Sequence, residues 1–431
     1  MRLAGRTVVL GVSAGIAAYK TPELVRALRQ AGARVRVILT RGAREFVTPL
    51  TLQTLAGEPV ATEIFDLTQE SQIGHIQLAD SADVLLVAPA TADIVAKLAL
   101  GIADDLLTTV AIATRASLVV APAMNVHMFE NPVVRQNLDR LAARGARIVA
   151  PDAGFLACGY EGAGRLPDTQ ALLDELGATL ADQDLAGEQV LVTAGPTREY
   201  LDPVRFLSNR SSGKMGYALA RAAWQRGARV ELVSGPTSLP DPRGVATVRV
   251  ETADEMLAAI RQRASTATIV IAAAAVADYR PSKRSEEKRA KADGKLMLPL
   301  ESNPDVIATI ARSAARRDDA ILVGFAAETH QVVARARAKL ARKRLDLIVA
   351  NDVSEAGAGF DVDTNHVTII DAQDSIEVPL AEKDEVADAI LDRVRALRAT
   401  RPLGAAARGA SRGRAKVGQL RARIRARRGS R

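Results

Sequence analysis

The sequence has one cysteine and one tryptophan among 431 residues, and aromatic residues make up only 3% of it. A single cysteine cannot form an intramolecular disulfide, and no Cys or His cluster has zinc-ligand spacing. Disulfide scaffolds and zinc modules are therefore excluded, and a reduced, cytoplasmic protein is indicated. The longest apolar run, residues 269–277, is about half the ~20 residues that cross a bilayer, so no membrane span is predicted. The length suggests two or three domains of roughly 150 residues each, and the 48% of hydrophobic residues is ordinary for a globular protein.

Acidic residues are missing from the C-terminal end. Residues 401–431 contain eleven Lys or Arg and no acid, so the net charge of +8 leaves −3 for residues 1–400. This segment is rich in Gly, Ala and Arg, has no aromatics and cannot bury enough surface to fold. We predict that residues 401–431 form a disordered tail. Plain solvation and weak nucleic-acid contact through the tail both remain open.

Short β-branched runs alternate with helical patterns along the chain. Such alternation is typical of a parallel sheet with helices on both faces. The predicted strands are residues 7–10, 34–39, 84–88, 118–121 and 147–149, and then 189–193, 229–233, 268–273, 321–325 and 345–350. We predict an α/β fold with two doubly wound Rossmann-like domains, residues 1–180 and 189–400. The short polar segment between them is the predicted boundary.

Each half opens with a strand, a glycine-bearing loop and a helix, an arrangement that offers free N–H groups to phosphate. The first loop, GVSAGIAAYK, contains G-x-S-x-G, but only ten residues precede Gly11, and a hydrolase nucleophile elbow normally follows several strands. Ser13 replaces the second glycine of the dinucleotide motif, and the second strand ends at Leu39 and Thr40 without an acid. A mononucleotide therefore fits better than NAD, and an NAD-linked oxidoreductase is the alternative.

Polar side chains follow other strands of the first half. The segments GHIQL, APAT, APAMN and ACGYEGAGRL carry His75, Thr91, Asn125 and Cys158. Ligands of such folds bind at the carboxyl ends of the strands. Taken singly, His75 also fits a surface histidine, Asn125 a turn residue and Cys158 a buried small hydrophobic residue.

Together these motifs, over about residues 5–175, make the first half resemble the flavin-dependent cysteine decarboxylases that act on phosphopantothenoylcysteine. The resemblance implies a flavodoxin-like domain with noncovalent FMN, where a cysteinyl thiol is oxidised to a thioaldehyde and the adjacent carboxylate leaves as CO2. It further implies that His75 acts in oxidation and decarboxylation, Asn125 holds the carboxylate and Cys158 donates a proton. The FMN-binding residues that it implies are Gly11, Ser13, Thr40, Ala88 and Thr91.

The densest motif of the second half is LVTAGPTREYLDPVRFLSNRSSGKMGYALA, residues 191–220. We predict a strand, a long loop and a helix whose first turn is Ser211-Ser212-Gly213-Lys214, where an anion would be favoured. Gly195 and Lys214 are too far apart for a Walker loop.

Further polar residues of this half follow predicted strands or begin helices. Asn303 and Asp305 stand at a predicted helix start. Lys339 and Lys343 are spaced i,i+4 and point to the same side of a predicted helix. These lysines fit either a solvated basic face or a clamp for a triphosphate.

These motifs resemble phosphopantothenate–cysteine ligases, which activate the substrate carboxylate with CTP as an acyl-cytidylate before the amine of cysteine displaces CMP. The resemblance implies that Asn209 handles the acyl-cytidylate and that Arg205 and Lys214 lie near substrate, with Mg2+ expected alongside CTP. Where the family often shows Lys-Ile-Lys-Lys, this chain has Lys288-Arg289-Ala290-Lys291, which keeps the first and last lysines and has alanine in place of the third-position lysine. The nucleotide-site residues that the resemblance implies are Ala273, Ala274, Ala275, Asp278, Lys288, Asn303, Pro304, Asp305, Val306, Phe325, Lys339 and Lys343.

The two halves in this order resemble the bacterial bifunctional coenzyme A biosynthesis family over about residues 3–397. The implied substrates are 4′-phosphopantothenate, L-cysteine and CTP, and the implied assembly is a homo-oligomer, a dodecamer of trimers and dimers. A regulatory or nucleic-acid-associated protein with the same fold but no catalysis is the alternative.

Overall fold

The computed structural model describes residues 3–64, 74–155, 159–288, 296–314, 316–328, 330–352, 355, 357–359 and 361–401. Cys158 and residues 402–431 lie outside these ranges, and with them the predicted proton donor and nearly all of the predicted tail. The chain divides after Asp182 into two compact units. Among the helices of the described residues, none has both the length and the apolar character needed to span a bilayer.

The first unit is a doubly wound sheet. Its strands are β1 (Thr7–Val12), β2 (Arg34–Leu39), β3 (Val84–Ala90), β4 (Ser117–Pro122) and β5 (Arg147–Ile148), with an antiparallel hairpin of β6 (Asp152–Phe155) and β7 (Glu161–Arg165) beside them. Its helices are α1 (Thr21–Gln30), α2 (Pro49–Ala56), α3 (Gly74–Ser81), α4 (Ala92–Leu100), α5 (Leu106–Ala113), α6 (Val126–Glu130), α7 (Pro132–Ala143) and α8 (Thr169–Leu180). Strands β1 to β5 pair in parallel in the order β2-β1-β3-β4-β5, the order of flavodoxin-like folds.

Strand β1 explains why this sheet is covered on both faces. Val8, Leu10 and Val12 are buried on one face with Leu24 of α1, while Val9 is buried on the other face with Leu107 of α5. A strand buried on both faces reads as a continuous apolar run rather than an alternating one. The doubly wound fold predicted from the sequence is confirmed.

The second unit repeats the plan with a larger sheet. The strands of this sheet are β8 (Gln189–Ala194), β11 (Arg229–Ser234), β12 (Ala246–Arg249), β13 (Ile269–Ala272), β16 (Ile321–Glu328), β17 (Leu347–Asp352), β18 (Thr364–Asp371) and β19 (Ser375–Glu382). Two short antiparallel hairpins pair β9 (Arg198–Tyr200) with β10 (Phe206–Ser208) and β14 (Tyr279–Pro281) with β15 (Leu300–Ser302). Its helices are α9 (Lys214–Gln225), α10 (Ala253–Arg263), α11 (Val306–Ala311), α12 (Val332–Lys343) and α13 (Lys383–Thr400).

The strand order of the larger sheet is β12-β11-β8-β13-β16-β17-β18-β19. The first six strands in that order pair in parallel, as the sequence predicts for five of them. Strands β18 and β19 add an antiparallel extension that the sequence pattern does not predict. The order reverses between β8 and β13, so the carboxyl ends of these two strands flank the switch point of the sheet.

The last helix completes the core of the second unit. In α13, Val386, Ile390 and Val394 are fully buried in one apolar cluster with Tyr217 and Leu219 of α9. Two ion pairs add to this contact. Arg226, which follows α9, lies 2.6 Å from Asp184, and Arg398 of α13 lies 3.2 Å from Glu188; both arginines are buried. Helix α13 is therefore an integral part of this unit.

Candidate functional site

The second unit contains a cavity of about 470 Å³ at the switch point of its sheet, where doubly wound folds bind ligands. Fifteen residues of this half carry sequence-based site predictions, and thirteen of them line the cavity. They are Asn209, Lys214, Ala273, Ala274, Ala275, Asp278, Asn303, Pro304, Asp305, Val306, Phe325, Lys339 and Lys343. Residues separated by more than 130 positions in the sequence thus converge on one concave surface.

Helix α9 starts at this cavity, but not where the sequence predicts. Residues Ser211 to Gly213 precede the helix, which begins at Lys214 with Gly213 at the N-cap in the left-handed region at φ +80°. The predicted first turn is therefore wrong. A Cβ on Gly213 would lie 2.7 Å from Thr237 Cγ2, which is why the position needs glycine. Because glycine has no side chain to cap the helix, the first N–H groups of α9 are left for an external acceptor.

Hydrogen bonds fix the alanine-rich loop that follows β13. The Ala274 amide donates to the Thr193 hydroxyl at 3.1 Å, and the Ala277 amide donates to the Thr197 hydroxyl at 3.0 Å. The Asn209 side-chain amide donates to the carbonyl of Val276 at 2.9 Å. The loop and Asn209 therefore form one wall of the cavity with a defined backbone.

Asn303 ties the next wall to this loop. Its backbone N–H donates to the Asp278 carbonyl at 2.8 Å, and its side-chain amide donates to the Ala277 carbonyl at 2.9 Å. Its Oδ1 atom is buried and has no hydrogen-bond partner among the described residues. A buried acceptor without a partner is costly, so this oxygen is suited to accept a hydrogen bond from a ligand.

Two lysines of α12 face the start of α11. Lys343 Nζ lies 2.7 Å from Asp305 Oδ2, and Asp305 caps α11 by accepting from the Ala308 amide at 3.1 Å. Burial opposes the charge on Asp305, but the Lys343 ammonium and the helix amide outweigh it and lower the pKa of this carboxyl. Burial, and then the charge of Lys343, lower the pKa of Lys339, whose Nζ donates to the Phe325 carbonyl at 3.1 Å. The predicted shared face is confirmed, and it presents concentrated positive charge.

The other two predicted residues, Arg205 and Lys288, lie outside the cavity lining. Arg205 Nε and Nη2 donate to Asp202 Oδ2 at 2.9 and 2.6 Å, and Asp202 is fully buried. Arg205 thus neutralises a buried carboxylate in the turn between β9 and β10. Lys288 is exposed at the edge of a described segment.

The cavity also contains cationic and amide side chains outside the fifteen predicted site residues. Among them are Arg210, Asn351, Asn365 and Lys383. Arg210 lies in the loop that precedes α9. Lys383 begins α13, and the acidic residues beside it in the sequence are typical of a solvent-exposed helix start. Burial of Lys383, whose exposed fraction is 6%, depends on long-range packing and has no local signal.

In the first unit, two predicted flavin-binding residues meet at the point where the strand order reverses, between β1 and β3. The Ser13 hydroxyl donates to the Pro89 carbonyl at 2.7 Å and accepts from the Thr91 amide at 3.0 Å. Thr91 caps α4 by accepting from the Ile94 amide at 3.4 Å. FMN binds at this β1/β3 switch point in flavodoxin-like folds. Small side chains here leave the backbone accessible to a flat ring or a phosphate.

Thr40, Ala88 and Gly11 also lie at the carboxyl ends of β2, β3 and β1. The Thr40 amide donates to the Val12 carbonyl at 3.1 Å, which joins the ends of β1 and β2. Gly11 has a packing role, because a Cβ there would overlap the side chain of Leu107. The five predicted flavin-binding residues therefore share one edge of the sheet.

The predicted catalytic residues of the first unit lie on separate elements. His75 lies in the first turn of α3 and is partly buried. Asn125 caps α6 by accepting from the His127 amide at 2.8 Å, and the His127 ring packs edge-on against Tyr160 at 4.9 Å. Tyr160 immediately precedes β7, and the link from β6 to β7 contains position 158. The structure thus places Asn125 close to the hairpin that carries Cys158, which itself is not described.

Comparison with known families agrees with this division of the chain. Residues 2–181 match the Flavoprotein family, and residues 185–397 match the family described as DNA/pantothenate metabolism flavoprotein C-terminal domain. The family matches and the fold together define a flavoprotein of two doubly wound units.

Curated relatives extend the match along nearly the whole chain. The protein is 47% identical over 391 residues to the coenzyme A biosynthesis bifunctional protein CoaBC of Vibrio cholerae. The aligned region covers 90% of this chain and 98% of the relative. It is also 47% identical to CoaBC of Escherichia coli over 398 residues, 91% of this chain and 98% of the relative. For CoaBC of Bacillus subtilis the identity is 47% over 400 residues, 92% of this chain and 98% of the relative. The chain belongs to the family of coenzyme A biosynthesis bifunctional proteins, which confirms the resemblance stated from its motifs.

A solved structure, the C-terminal domain of a coenzyme A biosynthesis bifunctional protein CoaBC, is 42% identical to this chain. It covers 50% of this chain and 98% of its own, with a TM-score of 0.43.

Proposed function

We propose that this chain is a bifunctional enzyme of coenzyme A biosynthesis. Residues 189–400 ligate L-cysteine to 4′-phosphopantothenate at the expense of CTP, through an acyl-cytidylate. Residues 1–180 decarboxylate the resulting 4′-phosphopantothenoylcysteine to 4′-phosphopantetheine. The observation that carries the proposal is the convergence of thirteen predicted ligase residues on one cavity, in a chain whose family is that of the bifunctional proteins. His75, Asn125 and Cys158 at their motif positions argue against a non-catalytic binding protein of the same fold.

In the ligase site, activation of the carboxylate requires a nucleotide held beside it. Ala273, Ala274 and Ala275 bind cytidine together with Asp278 and Phe325, and the turn of residues 303–306 completes the nucleotide pocket. The alanines leave their backbone accessible, and the buried Oδ1 of Asn303 accepts a hydrogen bond from the nucleotide.

The charges of the ligase substrates need separate partners. Lys339 and Lys343 neutralise phosphate charge, and Lys214 offers its ammonium at the start of α9. Asn209 orients the acyl-cytidylate from the wall that it shares with the alanine loop. Arg205 and Lys288 remain proposed substrate contacts.

Mg2+ accompanies CTP in this proposal. Among the described residues, no group of three or more His, Cys, Asp or Glu side chains is placed to hold a metal. The phosphates of the nucleotide and water therefore supply most of the ligands of the ion, as is usual for Mg2+ at nucleotide sites. Depletion of Mg2+ should abolish ligation and leave decarboxylation unchanged.

FMN is the proposed cofactor of the first unit. The residues at the switch point fit it, because Ser13, Ala88 and Thr91 are small and Ser13 locks the two strand ends together. Bound FMN supplies the two-electron redox chemistry that gives the substrate an electron sink for loss of CO2. Gly11 and Thr40 complete the same edge of the sheet.

The proposed catalytic side chains of this unit act on the substrate itself. His75 takes part in proton transfer during oxidation and decarboxylation, and Asn125 holds the substrate carboxylate. Cys158 donates the final proton, since a thiol with the ordinary pKa of about 8.5 is largely protonated at neutral pH.

The test is a coupled assay on purified protein. Flavin absorbance is measured first, and then pyrophosphate and CO2 are followed after addition of 4′-phosphopantothenate, L-cysteine, CTP and Mg2+. We expect bound flavin and both products. Asn209→Ala should abolish steady-state pyrophosphate release, because an acyl-cytidylate that is not oriented is not turned over, but it should retain CO2 release from supplied 4′-phosphopantothenoylcysteine. His75→Ala should do the reverse. Folded protein with neither flavin nor either product would overturn the proposal.

We also propose that the enzyme works in the cytoplasm, where CTP and free cysteine are present, and that it forms a homo-oligomer, a dodecamer of trimers and dimers. Exposed apolar side chains of the first unit support assembly, among them Tyr19 at 61% and Phe155 at 74% exposure. Light scattering of the eluting protein measures the mass of the assembly, and a monomer would contradict it.

The basic segment 402–431 is proposed to make weak, salt-dependent contact with nucleic acid. Its deletion should leave both turnover numbers unchanged and remove retention on a nucleic-acid column at low salt.

A further inference from the structure

Lys383 is the least expected charge in the second unit. It is the first residue of α13, its exposed fraction is 6%, and it lines the cavity. A cation at a helix N-terminus is opposed by the helix dipole, and burial of an ammonium is costly unless all its donors are satisfied. Helix stability therefore does not account for a lysine at this position.

The contacts of Lys383 show what compensates the cost. Its Nζ donates to the carbonyls of Gly359, Val362 and Thr364, at 3.2 Å for Gly359 and 3.0 Å for Thr364, and its backbone N–H donates to the Asp363 carbonyl at 2.9 Å. An ammonium has three donors, so the three carbonyls use all of them. Lys383 thus holds the backbone of residues 357–359 and 361–364, which lead into β18 and include its first residue. This segment is called here the β18 approach.

The opposite side of the β18 approach carries carboxylates that contact the cavity cations. Asp361 Oδ2 lies 2.7 Å from Arg210 Nη2, and the Asp361 carbonyl accepts from Lys214 Nζ at 2.9 Å. Asp363 Oδ1 lies 2.7 Å from Lys214 Nζ. The positions of Arg210, which precedes α9, and of Lys214, its first residue, therefore depend on the same short segment that Lys383 anchors.

We propose that Lys383 is a positioning residue of the ligase site. By anchoring the β18 approach it fixes Asp361 and Asp363, and these orient Arg210 and Lys214 toward a phosphorylated substrate. Burial and the nearby charge of Lys214 lower the pKa of Lys383 against the opposing charges of Asp363, Glu382 and Asp361, while its hydrogen bonds go to backbone carbonyls. The inference rests on the proposed ligase function.

The experiment compares Lys383→Met, which matches the length of the stem but removes the donors, with wild type in the full-length protein. We expect the KM for CTP or for 4′-phosphopantothenate to rise about tenfold or more, with kcat changed much less, because a displaced Arg210 or Lys214 would lose a charged hydrogen bond to the phosphorylated substrate, which is worth about that factor. Hydrogen exchange should accelerate in peptides that cover the β18 approach. Lys383→Gln, which keeps two N–H donors, should fall between wild type and Lys383→Met, and it decides the question if Lys383→Met does not fold.

Arg395→Met is the matched control, because it removes one cation from the same helix about 18 Å away along its axis. Arg395 is exposed and pairs with Asp184 at 3.1 Å, so its loss should leave both KM values unchanged. Unchanged KM values in folded Lys383→Met, or a loss of kcat alone, would overturn the inference. Absence of pyrophosphate release from wild type would overturn the proposed function instead.

Discussion

The contact between α9 and β8 makes a sharp prediction. Gly216 in the first turn of α9 lies so close to the sheet that a Cβ there would be 2.5 Å from Ala194 Cβ and 2.9 Å from the Thr193 carbonyl oxygen. In Gly216→Ala the helix has to move away from the strand. Overpacking costs about 1–3 kcal/mol, and the better helix propensity of alanine offsets about 1 kcal/mol. We expect the second unit to lose up to about 2 kcal/mol of unfolding free energy.

The same displacement should affect catalysis. Lys214 begins this turn, so the predicted phosphate site moves with the helix. Small displacements of positioning groups cost up to about 100-fold in rate. We expect pyrophosphate release to fall at least about tenfold, while CO2 release from supplied 4′-phosphopantothenoylcysteine stays unchanged.

Urea unfolding followed by tryptophan fluorescence measures the stability term, since the sole tryptophan, Trp224, lies in α9. Ala220→Gly is the matched control. It lies in the same helix, costs about 1 kcal/mol and adds no overlap, so it should lose stability without losing ligation. If Gly216→Ala kept wild-type stability and wild-type ligation, the close packing of α9 on β8 would not be a constraint.

Three further predictions follow from single contacts. Arg317, aided by Arg398, holds the pKa of Asp319 at about 2, below its usual 3.8. The charged carboxylate therefore stabilises the folded state fully above the unfolded pKa of 3.8, and this stabilisation is lost as the pH falls through the folded pKa of about 2. Asp319→Asn should thus cost about 2 kcal/mol near neutral pH, with the deficit in urea unfolding closing between about pH 4 and pH 2. Ser13→Ala removes the hydroxyl between the ends of β1 and β3 and should lower the flavin absorbance per polypeptide; full flavin content would contradict a role in binding. Lys343→Met should raise the KM for CTP about tenfold with decarboxylation unaffected, and an unchanged KM would place the triphosphate elsewhere.

The longer elements of both units are predictable from the sequence because amphipathic helices bury one face periodically and fully buried strands are continuous apolar runs. Strands with apolar residues on both faces, such as β1 and β13, stand out from the helices that follow them. Three-residue strands such as β9 and β14 have too few residues to show a period, and they form only because a partner strand lies beside them. The antiparallel pair β18 and β19 was not predicted although Ile376, Val378 and Leu380 alternate along β19, because Pro379 within this run argues against a strand and most of its side chains are exposed.

Site residues show the same division. The side chains that meet at the cavity could be predicted because their motifs resemble those of a known family, and several of them also follow a strand or begin a helix, where doubly wound folds gather ligands. Arg205 could not be assigned from the sequence, because its pairing depends on the burial of Asp202. The start of α9 was misplaced because the demand for glycine at position 213 comes from Thr237, which lies across the turn. Long-range packing thus determines what local patterns leave open.

Helix α13 has a consequence for biosynthesis of the protein. Domains generally fold as units, from the N-terminus, while the chain is still being made. All elements of the first unit precede residue 183, so it can fold while the remainder is translated. The second unit lacks Val386, Ile390 and Val394 until its last helix leaves the ribosome, and the core around Tyr217 stays open until then. Nascent chains stalled before residue 383 should therefore carry a protease-resistant first unit and a protease-sensitive second one.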